Sequence, residues 1–168
     1  MKRIARFEKV SREIFEGELE SFKGLSLNGD VYEGIKLPKR ATVGSAGYDF
    51  YTPVDFSLAP GETIKIPTGI RVRMEDGWVL QIYPRSGLGF KFRLQLDNTV
   101  GIIDSDYYFS DNQGHIMIKI TNNSLENKTV DVKCGQAFAQ GIFLEYGITE
   151  DDDATDIRNG GFGSTTKK

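Results

Sequence analysis

A single cysteine, Cys134, and a single histidine, His115, stand in a chain of 168 residues. One thiol excludes an internal disulfide and any multi-cysteine zinc site. One imidazole leaves a Ser-His-Asp triad or a histidine-based metal site resting on that residue alone, a poor basis for either. No apolar run reaches the ~18 residues that a membrane helix needs. Met1-Lys2-Arg3-Ile4 leads into charged residues rather than an apolar signal core. No membrane span is expected, and the cytoplasm is the expected location. Basic charge is short too, with a net charge of −3. A general nucleic-acid binder is more basic, so no nucleic-acid partner is expected. A phosphate ligand stays open, because a pocket needs only a few local Arg, Lys and backbone N–H groups.

Glycine is abundant. Nineteen glycines recur singly between short apolar runs, and 39% of the residues are hydrophobic. That composition suits one soluble domain with many turns and a real core. The middle of the chain alternates with period two, as strands do. Ile70, Val72 and Met74 alternate with Arg71 and Arg73, and Trp78, Leu80 and Ile82 with Val79, Gln81 and Tyr83. Phe92, Leu94 and Leu96 alternate with Lys91, Arg93 and Gln95, and Ile116, Ile118 and Ile120 with Met117, Lys119 and Thr121. Val130 and Val132, then Phe138 and Ile142, repeat the pattern. Turns are expected at Pro60-Gly61, Asp76-Gly77, Asn122-Asn123 and Cys134-Gly135. The fold class is all-β, a barrel or jelly-roll sandwich.

The N-terminus differs. Lys2 to Lys9 reads as a strand, and Ser11 to Phe22 as a short helix with Ser11 as N-cap. Gly24 to Thr42 reads as a loop-rich connection. The barrel domain is placed at 1–149, with 1–40 as an N-terminal extension. Residues 150–168 read as an acidic linker, Glu150 to Asp153, and a flexible Gly-rich C-terminal arm. No internal repeat is present.

Five segments are not accounted for by a β core. In Ala46-Gly47-Tyr48-Asp49-Phe50, Asp49 lies between aromatics, either a turn aspartate or a ligand carboxylate. In Pro84-Arg85-Ser86-Gly87-Leu88-Gly89-Phe90-Lys91, glycines free the backbone so that N–H groups can converge on an anion. Arg85 adds a bidentate fork and Ser86 a hydroxyl, although a plain Gly-rich turn would look the same. From Asn98 to Tyr107 an apolar run stops at Asp104. That carboxylate either opens an ordinary turn or holds the water that a general base needs. In Gly135 to Phe143, Gln140 shares strand parity with Phe138 and Ile142, so its amide is structural glue or a ligand contact. The small residues of the opposite parity, Ala137, Ala139 and Gly141, would admit close approach of another chain or strand. Last, Arg158-Asn159-Gly160-Gly161-Phe162-Gly163-Ser164-Thr165 is either a disordered tail or an arm whose ring stacks on a base while Arg158 holds phosphate.

In series, from Ala46 to Thr165, these segments resemble the ordered motifs of the trimeric dUTPase family. The resemblance implies a homotrimer of distorted jelly-roll barrels whose active sites are shared between subunits, hydrolysing dUTP to dUMP and pyrophosphate with Mg²⁺. It implies that Asp49 helps hold Mg²⁺-bound water, that Arg85, Ser86 and Gly87 bind phosphate, and that Asp104 deprotonates the attacking water. Tyr107 would pack under the deoxyribose. Asn98, Gly101 and Ile103 would belong to a β-hairpin that reads uracil, with Met117 beside it. Gln140 would touch phosphate or its water. Arg158 would clamp the γ-phosphate, with Phe162 as lid and Gly161, Gly163, Ser164 and Thr165 contributing substrate contacts.

Two departures from the family pattern stand out. Tyr108, Phe109, Ser110, Asp111 and Asn112 intervene before Gln113-Gly114-His115, an insertion in the uracil hairpin and a natural contact surface for a regulatory protein partner. Asn159 stands where another polar or charged residue is common. Two rival readings stand beside this one. The related dCTP deaminase needs a catalytic Glu where this chain has Lys119. A non-catalytic jelly-roll interaction module would not need Asp104, Arg85 and Phe162 together.

Overall fold

The computed structural model describes residues 1–19 and 29–158. In chain order these form β1 (Ala5–Lys9), α1 (Arg12–Leu19), β2 (Lys39–Arg40), β3 (Tyr48–Tyr51), β4 (Phe56–Leu58), β5 (Thr63–Pro67) and β6 (Ile70–Met74). Then follow β7 (Trp78–Pro84), α2 (Ser86–Phe92), β8 (Leu94–Leu96), β9 (Gly101–Ile103), a 3-10 turn (Ser105–Phe109), β10 (Met117–Asn122), β11 (Val130–Val132) and β12 (Ala137–Glu145). The strands make four antiparallel sheets, in the orders β2-β3-β12-β7-β9, β5-β10-β8, β1-β6 and β4-β11. This is the all-β jelly-roll architecture, with two short helices added.

Alternation along the strands builds one core. Ile70, Val72, Leu80, Ile82, Ile118 and Ile120 point inward with Phe50, Phe56, Ile66, Val130 and Phe138, and all are buried. Turn glycines do what their positions demand: Gly61 (φ +84°), Gly77 (φ +83°) and Gly135 (φ +78°) take the left-handed backbone region that a Cβ disfavours.

The N-terminal extension is part of the barrel wall. β1 pairs with β6 in register from Ala5↔Met74 to Lys9↔Ile70. Ser11 caps α1, its Oγ accepting the Ile14 N–H at 3.4 Å. The helix buries Phe15 and Leu19, and Phe15 lies 6.3 Å from the His115 ring. Arg12 fastens it further, bonding Asp30 and Glu33 at 2.8 Å each. The expected continuation to Phe22 lies outside the described residues.

Four sequence expectations need correction. Residues 84–92 do not form a Gly-rich loop followed by a strand from Lys91. Ser86–Phe92 form α2, and β8 starts only at Leu94. Arg93, in the left-handed region at φ 51°, ends the helix. Secondly, Gln140 does not share a face with Phe138. A bulge between Ala137 and Ala139 shifts the register against β3 and reverses the parity of the rest of β12. Thirdly, Ala139 and Gly141 therefore face this chain's own core. A Cβ on Gly141 would meet Leu80 Cδ1 at 2.8 Å and Phe50 Cε2 at 2.9 Å. Fourthly, β8 and β9 form no hairpin. β8 pairs with β10 and β9 with β7, so the tight turn at Thr99 (φ 66°) crosses between sheets.

In the 108–112 insertion, Tyr108 docks on β1 and β6. The Tyr108 hydroxyl donates to Glu8 at 2.8 Å, and Arg71 stacks 3.9 Å above the Tyr108 ring. The hydrogen bond from Tyr108, with Arg71 beside it, holds the Glu8 carboxyl below the usual range.

Candidate active site

Two groups of polar side chains gather on the two sides of β7, one toward β12 and β3 and the other toward β9. At the C-terminal end of β7, Asp49 on β3 stands in register with Gln140 on β12. Arg85, immediately before α2, reaches Asp49 with Nε at 3.2 Å from Oδ1. Gln140 Nε2 donates to the Pro84 carbonyl at 3.2 Å. A Cβ at position 47 would fall 2.6 Å from Gln140 Oε1, so Gly47 leaves room for the amide. The concavity there, about 540 Å³, is lined by Arg85, Ser86, Gly89, Phe90, Gln140 and neighbours from β7 and β12. Gly87 occupies the first turn of α2, where backbone N–H groups lack intrahelical partners. The anion-binding potential read from this segment thus comes from the start of a short helix and a guanidinium, not from a loop.

The second group follows β9. A cavity of about 460 Å³ is lined by Asn98, Gly101, Ile103, Tyr107, Met117, Lys119 and Arg158, among others. Gly101 packs against β7, where an added Cβ would lie 3.0 Å from Ile82 Cβ. Tyr107 is buried and donates from its hydroxyl to the His115 carbonyl at 2.9 Å. Asp104 ends the apolar run and opens the 3-10 turn. Its carboxylate bonds the guanidinium of Arg158, which also reaches Asp106 Oδ1 from Nε at 2.8 Å. The Arg158 guanidinium lies 5.9 Å from the centre of the Tyr107 ring.

The two groups belong to separate concavities of one chain: Arg85, Ser86 and Gln140 line one, with Asp49 bonded to its arginine, and Tyr107, Met117 and Arg158 line the other, with Asp104 bonded to its arginine. Asn159, Gly160, Gly161, Phe162, Gly163, Ser164 and Thr165 lie outside the described residues. The acidic stretch 150–153 is exposed, and among the described residues no three His, Cys, Asp or Glu side chains cluster as a metal would require.

Sequence reasoning missed Asp106 and Asn112. Asp106 is visible as a second acid two residues after Asp104, but its partner lies 52 residues away. Asn112 donates to the Tyr107 hydroxyl at 2.8 Å from within an irregular return, where no periodicity marks it. Lys119, set against the deaminase rival, pairs with Asp97 at 2.9 Å and holds that carboxyl below its ordinary range.

Fold and paired charges together define an antiparallel jelly-roll barrel with concavities suited to an anionic ligand. The chain belongs to the dUTPase family, whose model matches residues 33–166. It is 42% identical over 135 residues to the deoxyuridine 5'-triphosphate nucleotidohydrolase of Lactococcus lactis subsp. lactis strain IL1403, covering 79% of this chain and 89% of that protein. It is 41% identical over 150 residues to the enzyme of the same name from Escherichia coli O45:K1 strain S88, covering 84% and 95%. Among solved structures, the dUTPase from Streptococcus mutans superimposes with a TM-score of 0.64 at 31% identity, covering 86% of this chain and 98% of that one. The Staphylococcus bacteriophage 80alpha dUTPase with dUpNHpp shares the fold, with a TM-score of 0.61 at 19% identity and coverage of 99% and 100%.

Proposed function

We propose that the protein is a dUTP diphosphatase, hydrolysing dUTP to dUMP and pyrophosphate, limiting uracil in DNA and supplying dUMP for dTMP synthesis. The observation that carries this reading is the Asp104–Arg158 pair, whose arginine lines the cavity with Tyr107 and Gly101. It supplies a carboxylate beside a cation that can be surrendered to phosphate. Asp104 holds the attacking water and takes its proton as the oxygen closes on the α-phosphorus. Arg85, Ser86 and Gly87 bear on the phosphates, and Arg158 exchanges carboxylate for γ-phosphate when substrate enters. Positioning and charge stabilisation dominate, since phosphoryl transfer asks little covalent work of a protein.

Selectivity comes from the cavity. Uracil sits against the 98–103 backbone and Met117, where paired donors and acceptors refuse cytosine and a tight fit refuses the thymine methyl. Tyr107 packs under the sugar. Phe162 closes over the base, with Gly161, Gly163, Ser164 and Thr165 adding contacts. The two concavities of one chain support a homotrimer in which each site combines segments of different subunits. The cytoplasm is the proposed location; none of the described helices is long and apolar enough to cross a membrane.

Mg²⁺ fits the residues present. Asp49 offers a carboxylate beside Arg85 and Gln140, which suits a hard cation that keeps its water and phosphate ligands. When bound, Mg²⁺ would offset triphosphate charge and that of the departing pyrophosphate. Asp49 would hold it through water, with Gln140 orienting that water.

A regulatory protein partner at residues 108–112 is supported by Phe109, which is 77% exposed beside the internally bonded Tyr108. Phe109→Ser should then abolish binding of such a partner and leave turnover intact.

The primary test is pyrophosphate release from dUTP, UTP, dCTP and dTTP, with and without Mg²⁺. Release from dUTP alone, lost on chelation, is expected. Ammonia from dCTP would favour the deaminase, and no release from any of them would overturn the enzyme.

A further inference from the structure

Asn112 lies in the return from the 3-10 turn to β10, a stretch to which the mechanism above gives no task. Its amide is held at both ends. Nδ2 donates to the Tyr107 hydroxyl at 2.8 Å, and Oδ1 accepts the Gly114 N–H at 3.1 Å. The second bond settles which end is oxygen, so the nitrogen must face the phenol. The Tyr107 hydroxyl in turn donates to the His115 carbonyl at 2.9 Å. One bond given and one received fix the tip of a ring that is only 6% exposed, while the same residue lines the 460 Å³ cavity.

The backbone around Asn112 leaves it little freedom. The Ser110 N–H donates to the Tyr107 carbonyl at 3.1 Å, Gln113 N–H to Ser110 at 2.7 Å, and His115 N–H to Asn112 at 3.1 Å. Gly114, at φ +70°, packs so closely that a Cβ would lie 2.7 Å from the Tyr107 carbonyl oxygen and 2.8 Å from Tyr108 Cα. Gln113 anchors the far side, its Oε1 accepting the Ser11 N–H at 2.8 Å. The return is therefore a braced support whose one side-chain bond to the cavity lining goes to Tyr107.

We propose that Asn112 is a positioning residue for sugar selection: by fixing the Tyr107 ring it sets the room beside C2′ of the bound nucleotide. Resting on the assignment of that cavity to base and sugar, it makes the inserted stretch part of the selectivity apparatus. Without the amide donor the phenol keeps only the His115 acceptor and can tip, which opens space for a 2′-hydroxyl.

Asn112→Ser keeps a hydroxyl oxygen for the Gly114 N–H two residues on, so the return stays formed, but its side chain is too short to reach the Tyr107 hydroxyl. Binding of the imido analogues of dUTP and UTP by calorimetry, together with dUTP turnover, tests the idea. The deoxy-over-ribo preference in binding should fall about five- to tenfold, the worth of one hydrogen bond. In a Tyr107→Phe background, Asn112→Ser should change the preference no further. An unchanged preference, or an equal fall in both backgrounds, overturns the proposal while wild-type dUTP turnover upholds the enzyme assignment. Failure of the wild type to bind either analogue overturns both.

Discussion

Arg158 holds Asp104 through its guanidinium and Asp106 through Nε, the latter at 2.8 Å. A residue near the end of the described chain thus lies on the carboxylate assigned to water activation. The pair is half-open to solvent, with side-chain exposures of 20% and 44%, so the triphosphate can compete for the cation. Arg158→Ala should leave Asp104 in place and remove the phosphate clamp. A fall in kcat/KM for dUTP of about 10- to 100-fold is expected, the range for a lost charge-assisted hydrogen bond. Affinity for dUMP, which lacks the γ-phosphate, should change little.

The hydrophobic core runs from Val10 to Ala139, and no residue after Gly141 is buried among the described residues. A chain ending at Arg158 should therefore keep its circular dichroism and oligomeric state. Pyrophosphate release should collapse, because Phe162 and the hydroxyls of Ser164 and Thr165 are gone. Normal turnover by this truncation would remove the lid from the mechanism.

His115 makes stability depend on pH. It is 1% exposed and accepts the Gly69 N–H through Nε2 at 2.9 Å. Burial lowers its pKa from 6.5 to about 4. Below pH 6.5 the unfolded chain takes up a proton that the folded chain refuses. The contribution of the neutral imidazole is thus complete above pH 6.5 and fades as pH falls toward 4, by about 3 kcal/mol at most. Urea unfolding at fixed protein concentration should show this slope between pH 6.5 and 4, and His115→Gln should flatten it.

Gly141 tests the reversed parity of β12. Gly141→Ala would press a methyl against Leu80 and Phe50 and should destabilise the protein by about 1–3 kcal/mol. An outward-facing position, as the uninterrupted alternation implied, would give almost no change.

The strands whose alternation runs unbroken were legible: β6, β7 and β10 carry their apolar residues inward as read. What failed did so for local reasons. The bulge after Ala137 is set by pairing with Tyr51 and Phe50, which sequence spacing does not reveal. Gly87 and Gly89 suggested a loop, yet the Gly89 N–H bonds Arg85 O at 2.9 Å and the Arg93 N–H bonds Gly89 O at 2.8 Å. The Asp49–Arg85 and Asp104–Arg158 pairs join residues 36 and 54 positions apart, so each residue could be named but not matched.

Asp104→Asn offers the sharpest measurement, because amide and carboxylate share shape and differ in proton affinity. Single-turnover pyrophosphate release should fall by about 10²–10⁴, the usual contribution of a general base. Calorimetry should show the imido analogue of dUTP still binding. A variant that releases pyrophosphate at the wild-type rate would contradict the assignment of Asp104 as the base.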